Sequence, residues 1–472
     1  MSWLTVDELS VFAGERPLVD RASFELAPGD AFTLLGETGS GKSLLLSAIA
    51  STLPTELRAS GLVTLLGERT AAERPSARQA QWGRTLAVLP QEPWLALDPT
   101  MRILPQVAEG YGRVQKQPAE TARRHAREDL GRLALQHAGD RYPFMLSGGM
   151  AQRAAFAATR ASGGRLVLVD EPTKGLDATL RDSLVELLQG VLAEGGALFT
   201  ITHDVHVART LGGTVAVMLD GRIVERGPAA QVLSAPAHDY TRRLLAAEPE
   251  RWPPRTPAPI GAPVVTATGL AKSFGTHRVF ADIAVTLHAG ERLAITGPSG
   301  SGKTTLGNVL LGLVAADRGG ITRRPGRLTW KYQKLYQDPV AAFAPRATIR
   351  QSLADVIALH HLDWGAVDAY MQRLRLAPDL LDRRPDQVSG GELQRFALAR
   401  VLLLEPDVIF ADEPTSRLDP ISQQETIDVL VHEAARSGAA LMLVTHDPAI
   451  AANVGQQVLA PFNRLMSSQL SL

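Results

Sequence analysis

The sequence predicts an α/β fold built from two similar halves. Its 472 residues are too many for one hydrophobic core, and a length of this order favours roughly two to four domains. Short, continuously apolar segments alternate with helix-favouring ones, a pattern typical of a parallel sheet buried on both faces. The same ordered set of motifs also occurs twice along the chain. We therefore expect two tandem α/β domains.

A glycine-rich loop at residues 36–43 (GETGSGKS) stands between the apolar segment Phe32–Leu35 and the helical run Leu44–Ala50. This setting identifies a phosphate loop, because its glycines let successive backbone N–H groups converge on a polyphosphate. Lys42 adds a positive charge near the β- and γ-phosphates, and the Ser43 hydroxyl can ligate Mg²⁺. The nucleotide-binding residues expected here are Gly36, Gly39, Gly41, Lys42, Ser43 and Leu44.

The same loop recurs at residues 297–304 (GPSGSGKT), directly after the apolar segment Leu293–Thr296. A single match can arise in an ordinary glycine-rich turn, but two in one chain argue against chance. The corresponding nucleotide-binding residues are Gly297, Gly300, Gly302, Lys303, Thr304 and Thr305.

Composition limits the classes of partner and metal site. Lys and Arg total 49, as do Asp and Glu, so the net charge is zero and no nucleic-acid partner is expected. The absence of cysteine excludes disulfides, thiolate zinc sites and cysteine-bound iron–sulfur clusters. The first residues lack the layout of a secretory signal, and apolar runs are shorter than the roughly 18 residues that span a bilayer. We expect the chain itself to be soluble.

The repeat and the proline content together predict the domain boundaries. The first domain is expected at residues 1–248 and the second at 264–472, with a linker at 249–263 that contains six prolines. Proline removes backbone donors and favours extended structure, so this linker should be semi-rigid. Near the end of the first half, Thr214–Glu225 predicts a hairpin with an Asp-Gly turn. The second half has no evident copy of that hairpin.

Each half also contains an apolar strand that ends in two acids, Asp170-Glu171 and Asp412-Glu413. The first acid of each pair can hold Mg²⁺ opposite Ser43 or Thr304, and the second can orient and polarise an attacking water. Paired acids at a strand end are also common in solvated turns. The phosphate loops upstream favour the catalytic interpretation.

A serine followed by two glycines precedes a helical run in each half. The hydroxyl, the close backbone approach and the positive helix dipole suit a γ-phosphate. The alternative is an N-capped helix after a tight turn, but the identical order in both halves favours the first interpretation. The residues are Ser147, Gly148, Gly149, Ser389, Gly390 and Gly391.

With these motifs, both halves resemble the nucleotide-binding domains of ATP-binding cassette (ABC) proteins, and the resemblance covers nearly the whole chain. The Leu/Val-Ser-Gly-Gly elements match that family's signature motif. The resemblance implies two tandem P-loop NTPase domains. Each has a RecA-like core with a mostly parallel sheet, an antiparallel β subdomain and a helical subdomain. It also implies ATP and Mg²⁺ as cofactors and an ATP hydrolase coupled to transport.

The resemblance assigns further residues by their positions in the family's motifs. Gln91 and Gln337 take the Q-loop position, Asp177 and Asp419 lie in the D-loops, and each half has one aromatic residue placed to stack on adenine. These aromatic residues are Phe12 and Phe274. The implied catalytic residues are Glu171, Glu413, His203 and His446, the two histidines being the switch histidines. The implied magnesium ligands are Ser43, Gln91, Asp170, Thr304, Gln337 and Asp412.

The resemblance further implies that the two domains face each other head to tail. ATP on residues 36–43 would then be closed by Ser389-Gly390-Gly391, and ATP on residues 297–304 by Ser147-Gly148-Gly149. Neither site would be complete within one half.

A finer resemblance is to importers of dipeptides, oligopeptides, nickel and opine-type metallophores. Residues 89–99 (LPQEPWLALDP) and 336–346 (YQDPVAAFAPR) are similar to that group's segment after the Q-loop, and His238–Leu245 is similar to its H-P-Y-T tail. This implies a fused ATPase subunit, peripheral at the cytoplasmic face of the inner (plasma) membrane. Its implied partners are two transmembrane permease subunits and, through them, an extracytoplasmic solute-binding protein.

Two alternatives share the tandem architecture. A soluble ABC ATPase acting on ribosomes or nucleic acid usually carries a long charged linker, whereas the basic residues of this linker are only Arg251 and Arg255. A tandem ATPase of a sugar importer explains the segment His238–Leu245 poorly.

Overall fold

The computed structural model describes residues 2–74, 78–173, 176, 178–298, 300–416 and 418–460. The chain divides into two compact units, with the boundary between Ala246 and Ala247. Each unit contains an antiparallel sheet, a mainly parallel sheet and helices, as the sequence predicts. Within the described ranges, no helix is both long and apolar enough to cross a membrane.

The first unit alternates strands and helices. Its strands are β1 (Leu4–Ala13), β2 (Arg16–Leu26), β3 (Ala31–Leu35), β4 (Leu57–Leu65), β5 (Glu68–Ala71), β6 (Leu86–Leu89), β7 (Leu166–Asp170), β8 (Ala197–Thr202), β9 (Thr214–Leu219) and β10 (Arg222–Pro228). Its α-helices are α1 (Lys42–Ala50), α2 (Pro93–Ala96), α3 (Ile103–Glu109), α4 (Ala119–Arg132), α5 (Gly148–Ala161), α6 (Ala178–Ala193), α7 (Val205–Leu211), α8 (Ala229–Val232) and α9 (Asp239–Ala246). A π-helical turn at Gly110–Val114 follows α3.

Two sheets pack together in this unit. One is antiparallel, in the order β2-β1-β4-β5, and the other has the order β10-β9-β3-β8-β7-β6. The second sheet is parallel except at β9–β10, where the predicted Asp220-Gly221 turn has φ values of 46° and 79°. Stacked rings of Phe24, Phe32 and Phe199 join the sheets, with centroids 4.4 to 5.7 Å apart.

The parallel sheet positions the candidate site. Its central strand β3 is buried along its whole length between β8 and β9. Because parallel strands end at the same edge of a sheet, the phosphate loop after β3, the acids at the end of β7 and the segment after β8 all emerge there. Residues far apart in sequence are therefore brought together at one edge.

The second unit repeats this plan with fewer strands in the described residues. Its strands are β11 (Pro263–Phe274), β12 (His277–His288), β13 (Arg292–Ile295), β14 (Arg318–Arg323), β15 (Tyr332–Leu335), β16 (Val408–Asp412), β17 (Ala440–Val444) and β18 (Gln457–Leu459). Its α-helices are α10 (Lys303–Leu311), α11 (Ile349–His360), α12 (Gly365–Arg373), α13 (Gly390–Leu402), α14 (Pro420–Ser437) and α15 (Pro448–Val454).

Its antiparallel sheet has the order β12-β11-β14, and its parallel sheet the order β15-β16-β17-β13-β18. Among the residues that the structure describes, β18 is an edge strand, whereas its counterpart β9 pairs with the antiparallel β10. The hairpin that the sequence predicts in the first half is present as β9–β10.

The proline-rich segment at residues 249–263 belongs to the second unit and is anchored within it. It begins with a 3-10 turn at Pro249–Arg251. Trp252 is buried in the second unit's core, where its Nε1–H donates to the Ala247 carbonyl oxygen at 2.9 Å. Arg255 lies 2.6 Å from the Asp428 carboxylate. The proline count predicts extended structure here but gives no sign of this anchoring, which depends on the distant residues that receive it.

Candidate nucleotide-binding sites

The first phosphate loop, residues 36–43, folds around its own lysine. Gly39 and Gly41 take φ values of 88° and 100°, which favour glycine, and a Cβ at Gly41 would lie 2.8 Å from the Leu18 carbonyl oxygen. The buried Lys42 Nζ donates to the carbonyl oxygens of Gly36 at 2.8 Å and Glu37 at 2.7 Å. These contacts hold a positive charge at the centre of the loop.

The second loop, residues 297–304, places its lysine in the same way. Lys303 Nζ donates to the carbonyl oxygens of Gly297 and Pro298, each at 2.8 Å, and Lys303 is 5% exposed, like Lys42. Gly300 and Gly302 have φ values of 74° and 103°. The two predicted lysines therefore occupy equivalent environments. Leu44 and Thr305 follow the loop hydroxyl residues in the first turns of α1 and α10.

In each unit the loop hydroxyl meets the first acid of the predicted pair. Ser43 Oγ donates to Asp170 Oδ1 at 3.2 Å, and Thr304 Oγ1 donates to Asp412 Oδ1 at 2.9 Å. Hydroxyl and carboxylate oxygens are hard ligands of the kind that Mg²⁺ prefers. The chemistry of both donor sets fits that ion.

The second acid of the first unit is held by the predicted histidine. Glu171 has φ of 44°, and its backbone N–H donates to the Ile201 carbonyl oxygen at 2.8 Å. His203 Nδ1 lies 2.7 Å from Glu171 Oε2, and both side chains are largely buried. Burial opposes the charged imidazole, but the negative charges of Glu171 and Asp204 outweigh it and raise the pKa of His203.

In the second unit the same residue types pair differently. Glu413 has φ of 47°, but the side chain that donates to its Oε2 is Gln337, whose Nε2 lies at 3.1 Å. His446 Nδ1 is 3.6 Å from that oxygen, beyond hydrogen-bond distance. The first-unit glutamine, Gln91, follows β6 at the equivalent position and is half-buried.

Both signature serines are N-caps. Ser147 Oγ accepts from the Met150 backbone N–H at 3.4 Å at the start of α5. Ser389 forms a capping box with Glu392 at the start of α13, and its hydroxyl donates to that carboxylate at 2.6 Å. The alternative of a capped helix thus describes these residues correctly. It does not compete with phosphate binding, since a capped helix start also presents backbone N–H groups.

The glycines after these serines differ in their surroundings. A Cβ at Gly149 would lie 2.7 Å from Leu180 Cδ1, whereas a Cβ at Gly391 would have no atom closer than 3.9 Å. Gly148 and Gly390 have open space. Of these four glycines, only Gly149 packs closely against a neighbouring side chain.

The remaining predicted residues are the D-loop aspartates and the two aromatic residues. Asp419 is buried and caps α14, with its carboxylate accepting from the Ser422 backbone N–H at 3.0 Å. The equivalent Asp177 lies outside the described residues. The Arg58 guanidinium carbon lies 5.1 Å from the ring centroid of Phe12. Lys272 Nζ lies 5.3 Å from the ring centroid of Phe274, which is exposed.

Comparison with known protein families matches residues 19–174 and 280–416 to the ABC transporter family. The chain belongs to this family. It is one of the family's ATP-binding proteins, which hydrolyse ATP, and its fold class is confirmed as two tandem ABC ATPase domains.

Two relatives of known name cover most of the chain. It is 34% identical to the peptidoglycan transport ATP-binding protein YejF of Agrobacterium fabrum, over 91% of this chain and 84% of the relative. It is 32% identical to the glutathione import ATP-binding protein GsiA of Escherichia coli K12, over 93% of this chain and 81% of the relative.

Solved structures of tandem ABC proteins share the fold. The archaeal ribosome recycling factor aABCE1, in its complex with the ribosomal stalk protein aP1, superimposes with a TM-score of 0.67 over 95% of this chain and 90% of that one. RNase-L Inhibitor gives a TM-score of 0.63 over 94% of this chain and 85% of that chain. Both are 21% identical to this chain, so the likeness shows the fold alone.

Two contacts at these ABC sites were not predicted. The Glu37 backbone N–H, in the first phosphate loop, donates to the Tyr240 hydroxyl at 2.8 Å. Lys334 Nζ lies 3.0 Å from Asp412 Oδ2 in the second unit. The only sequence signal for the second contact is a lysine in a strand, three residues before Gln337.

Proposed function

We propose that this chain energises an ABC importer of peptides or peptide-like compounds, with both nucleotide-binding domains in one polypeptide. The proposal is supported by the names of the relatives, one for peptidoglycan transport and one for import of glutathione, which is a tripeptide. Nickel and opine-type metal chelates belong to the same wider group that the sequence predicts, and they are the other cargoes to test.

The observation that carries the ATPase part of the proposal is the repeated arrangement of lysine, hydroxyl and acid. Each unit has a buried loop lysine and a hydroxyl hydrogen-bonded to a strand-end aspartate. In each unit a glutamate follows that aspartate. Both sites are therefore proposed to hydrolyse ATP.

Mg²⁺, when bound, would neutralise charge on the β- and γ-phosphates. Its proposed ligands are the loop hydroxyls, the strand-end aspartates and the Q-loop glutamines: Ser43, Asp170 and Gln91 in the first unit, and Thr304, Asp412 and Gln337 in the second. The loop lysines would contact the same phosphates.

The contact between Glu171 and His203 suggests how the first site acts. A protonated His203 can donate to a γ-phosphate oxygen, and moving to that oxygen would release the Glu171 carboxylate. The freed carboxylate could then accept a hydrogen bond from the attacking water and orient it. In the second site, Gln337 would have to release Glu413 in the same way.

Head-to-tail pairing of the two domains is proposed to complete both sites. Each phosphate loop would be covered by the signature serine and glycines of the other unit. Binding of two triphosphates would favour the closed arrangement, and hydrolysis with phosphate release would favour the open one, which is a ligand-driven population shift.

The proposed membrane partners are two permease subunits, with an extracytoplasmic solute-binding protein acting through them. The chain would then be peripheral at the cytoplasmic face of the inner membrane. Support comes from exposed apolar side chains close to the Q-loop positions: Trp94 and Leu95 after Gln91, and Val340 after Gln337. Exposed aromatic and aliphatic groups of this kind are common where proteins dock.

The ATPase proposal is tested with Glu171→Gln and Glu413→Gln in separate full-length proteins. In each variant, ATP turnover at the mutated site should fall at least about a hundredfold, because a positioned base contributes about that much to the rate. Glu186→Gln, an exposed acid on α6, is the matched control and should keep wild-type activity. Wild-type turnover in either site variant would contradict equal participation.

The transporter proposal is tested against the ribosomal alternative, which has only fold likeness in its favour. The tagged chain is purified from detergent-solubilised membranes of its own organism, and its partners are identified by mass spectrometry. Two polytopic membrane proteins should be recovered in equal amounts. Recovery of ribosomes instead would overturn the assignment. If the membrane proteins are recovered, uptake of labelled peptides or Ni²⁺ in a deletion strain separates the cargoes.

A further inference from the structure

A lysine lies against the acid that we propose as a magnesium ligand in the second site. Lys334 Nζ is 3.0 Å from Asp412 Oδ2, while Thr304 Oγ1 donates to the other oxygen, Oδ1, at 2.9 Å. The side chains of Lys334 and Asp412 are only 11% and 6% exposed. Both oxygens of this carboxylate are therefore engaged, one by a hydroxyl and one by a cation.

The surroundings hold this ammonium group in place. Lys334 Nζ also donates to Asn308 Oδ1 at 3.1 Å. It lies 5.3 Å from the ring centroids of both Tyr336 and Phe410, within the range of cation–π attraction. An anion, an amide oxygen and two aromatic rings thus surround the charge, which distinguishes it from a mobile surface lysine.

The first unit has valine at the equivalent position. Lys334 is opposite Phe410 in the parallel pairing of β15 and β16, just as Val88 is opposite Leu168 in the pairing of β6 and β7. Each also lies three residues before the Q-loop glutamine. The two sites therefore differ in formal charge at this matched position.

The residues that pack around Lys334 also differ from their first-unit counterparts. Phe410 lies so close to Gly307 that a Cβ on this glycine would be 2.0 Å from the ring's Cζ. The matching first-unit residues are Leu46 and Leu168. The glycine makes room for the aromatic ring, which in turn borders the lysine.

We propose that Lys334 is a resident counter-cation of the second ATP site. It weakens Mg²⁺ binding at Asp412 and strengthens binding of nucleotide without metal, so the second site depends less on Mg²⁺ than the first. The reason is electrostatic: a fixed positive charge beside the carboxylate repels a divalent cation and attracts a polyphosphate, and burial limits the screening by water. Lys334 is a positioning residue here, and the inference rests on the proposed role of Asp412 in holding Mg²⁺.

The test uses the full chain with Lys42→Ala, which weakens the first site, and compares Lys334→Met with Lys334→Arg. Mn²⁺ is the metal probe, measured by electron paramagnetic resonance with ADP, which is not turned over. ATP binding in EDTA is measured by calorimetry. In the methionine variant, Mn²⁺ affinity should rise and metal-free ATP affinity should fall, each on the order of tenfold. The arginine variant keeps the charge and should behave like wild type.

Val88→Met is the matched control, made in a chain whose second site is weakened by Lys303→Ala. It introduces the same side chain at the equivalent position and should change neither affinity. If Lys334→Met does not fold, Lys334→Gln removes the charge but retains a hydrogen-bond donor, and the same shifts are expected.

Unchanged Mn²⁺ and ATP affinities in the methionine or glutamine variant, with only a lower unfolding temperature, would reduce Lys334 to a structural ion pair and overturn the inference. Asp412→Asn separates this from failure of the proposed function. If that variant binds Mn²⁺ as wild type does, Asp412 holds no metal. Its proposed role as a magnesium ligand and the inference about Lys334 then both fall. If it loses Mn²⁺ while Lys334→Met changes nothing, only the inference falls.

Discussion

At the residue scale, the two glutamates proposed to position water share an uncommon backbone conformation. Glu171 and Glu413 have φ values of 44° and 47°, a region that non-glycine residues seldom adopt. In each case the backbone N–H donates to a carbonyl oxygen at the end of the neighbouring strand, that of Ile201 or Val444. The conformation is thus held by the sheet, and it directs the carboxylate to the edge where the phosphate loop lies.

The ion pair of His203 and Glu171 gives the first prediction. Replacing Glu171 by Gln removes the charge that raises the pKa of His203, so burial should then dominate and move that pKa below its usual value of about 6.5. Histidine-labelled protein followed by NMR from about pH 5 to 9 measures both values, with His203→Asn identifying the signal. A pKa that stays raised in Glu171→Gln would mean that another group sets it.

The same pair makes stability depend on pH. Because the folded-state pKa of His203 is above the unfolded value, the pair's contribution to the free energy of unfolding is complete below about pH 6.5. That contribution is lost as pH rises through the raised folded-state pKa. The difference in unfolding free energy between wild type and Glu171→Gln should therefore shrink from pH 6 to pH 9. An equal difference at both pH values would contradict an ionic pair.

The sequence predicted some of these contacts and not others, for a physical reason. Lys42 and Ser43 belong to one short motif whose conformation is fixed locally by its glycines. The contact of Lys334 with Asp412 depends on the pairing of two strands separated by more than 70 residues of chain. The lysine also borders the ring of Phe410, which packs against Gly307, whereas the first unit has leucine at both matching positions. Local patterns contain no information about such a pairing.

At the element scale, helix packing against the parallel sheet leads to the third prediction. Gly307 lies in α10 against the Phe410 ring of β16. The Cβ of an alanine at this position would lie 2.0 Å from the Cζ atom of that ring. Gly307→Ala should therefore destabilise the second unit by about 1–3 kcal/mol, as overpacking of a buried contact does. Gly190 lies within α6 with open space around its Cβ. Gly190→Ala should stabilise by about 0.5–1 kcal/mol.

Denaturant unfolding combined with hydrogen exchange distinguishes these two effects. Gly307→Ala should increase exchange in α10 and β16, and Gly190→Ala should slow it in α6. Neutral behaviour of Gly307→Ala would show that the Phe410 ring can move aside at little cost.

Anchoring of the proline-rich segment gives the fourth prediction. Trp252 is buried against the core of the second unit and hydrogen-bonded through its indole, so Trp252→Ala should cost about 3–5 kcal/mol of that unit's stability. Trp94 is exposed on α2, and Trp94→Ala should leave stability nearly unchanged. Calorimetric unfolding compares the two variants, and equal losses would show that burial does not explain the effect.

Element boundaries show what apolar patterns miss. Strand β1 runs from Leu4 to Ala13 and includes the polar residues Asp7 and Glu8, which an apolar pattern would leave out. Register shifts in its pairing with β2 accommodate them, and Glu8 has φ of 48°. Irregular strands of this kind are defined by their partners, which the pattern of one segment cannot indicate.

At the scale of the whole molecule, the two halves use the same parts with different local contacts. The first unit has the β9–β10 hairpin and the following α9, from which the Tyr240 hydroxyl contacts the phosphate loop. The second unit has Lys334 and the capping box of Ser389. A chain that contains both domains can specialise each one, because the two are always present in equal amounts.

Head-to-tail pairing gives the last prediction, and the absence of cysteine makes it directly measurable. Thr38 and Gly390 are exposed, and a Cβ at Gly390 would meet no atom within 4 Å. In a chain that also carries Glu171→Gln and Glu413→Gln, ATP with Mg²⁺ should bring Thr38→Cys and Gly390→Cys close enough for a short thiol cross-linker. Cross-linking should be weak with ADP, because phosphate loss favours the open arrangement.

The matched control combines Thr38→Cys with Gly148→Cys, the signature glycine of the same unit, which is equally exposed and unobstructed. The proposed head-to-tail pairing would not bring these two positions together, so this pair should not respond to ATP. If the same-unit pair cross-linked and the opposite-unit pair did not, neither ATP site could be completed by the other domain. Each unit would then have to close its own site, and ATP binding at one site would have no direct means of affecting the other.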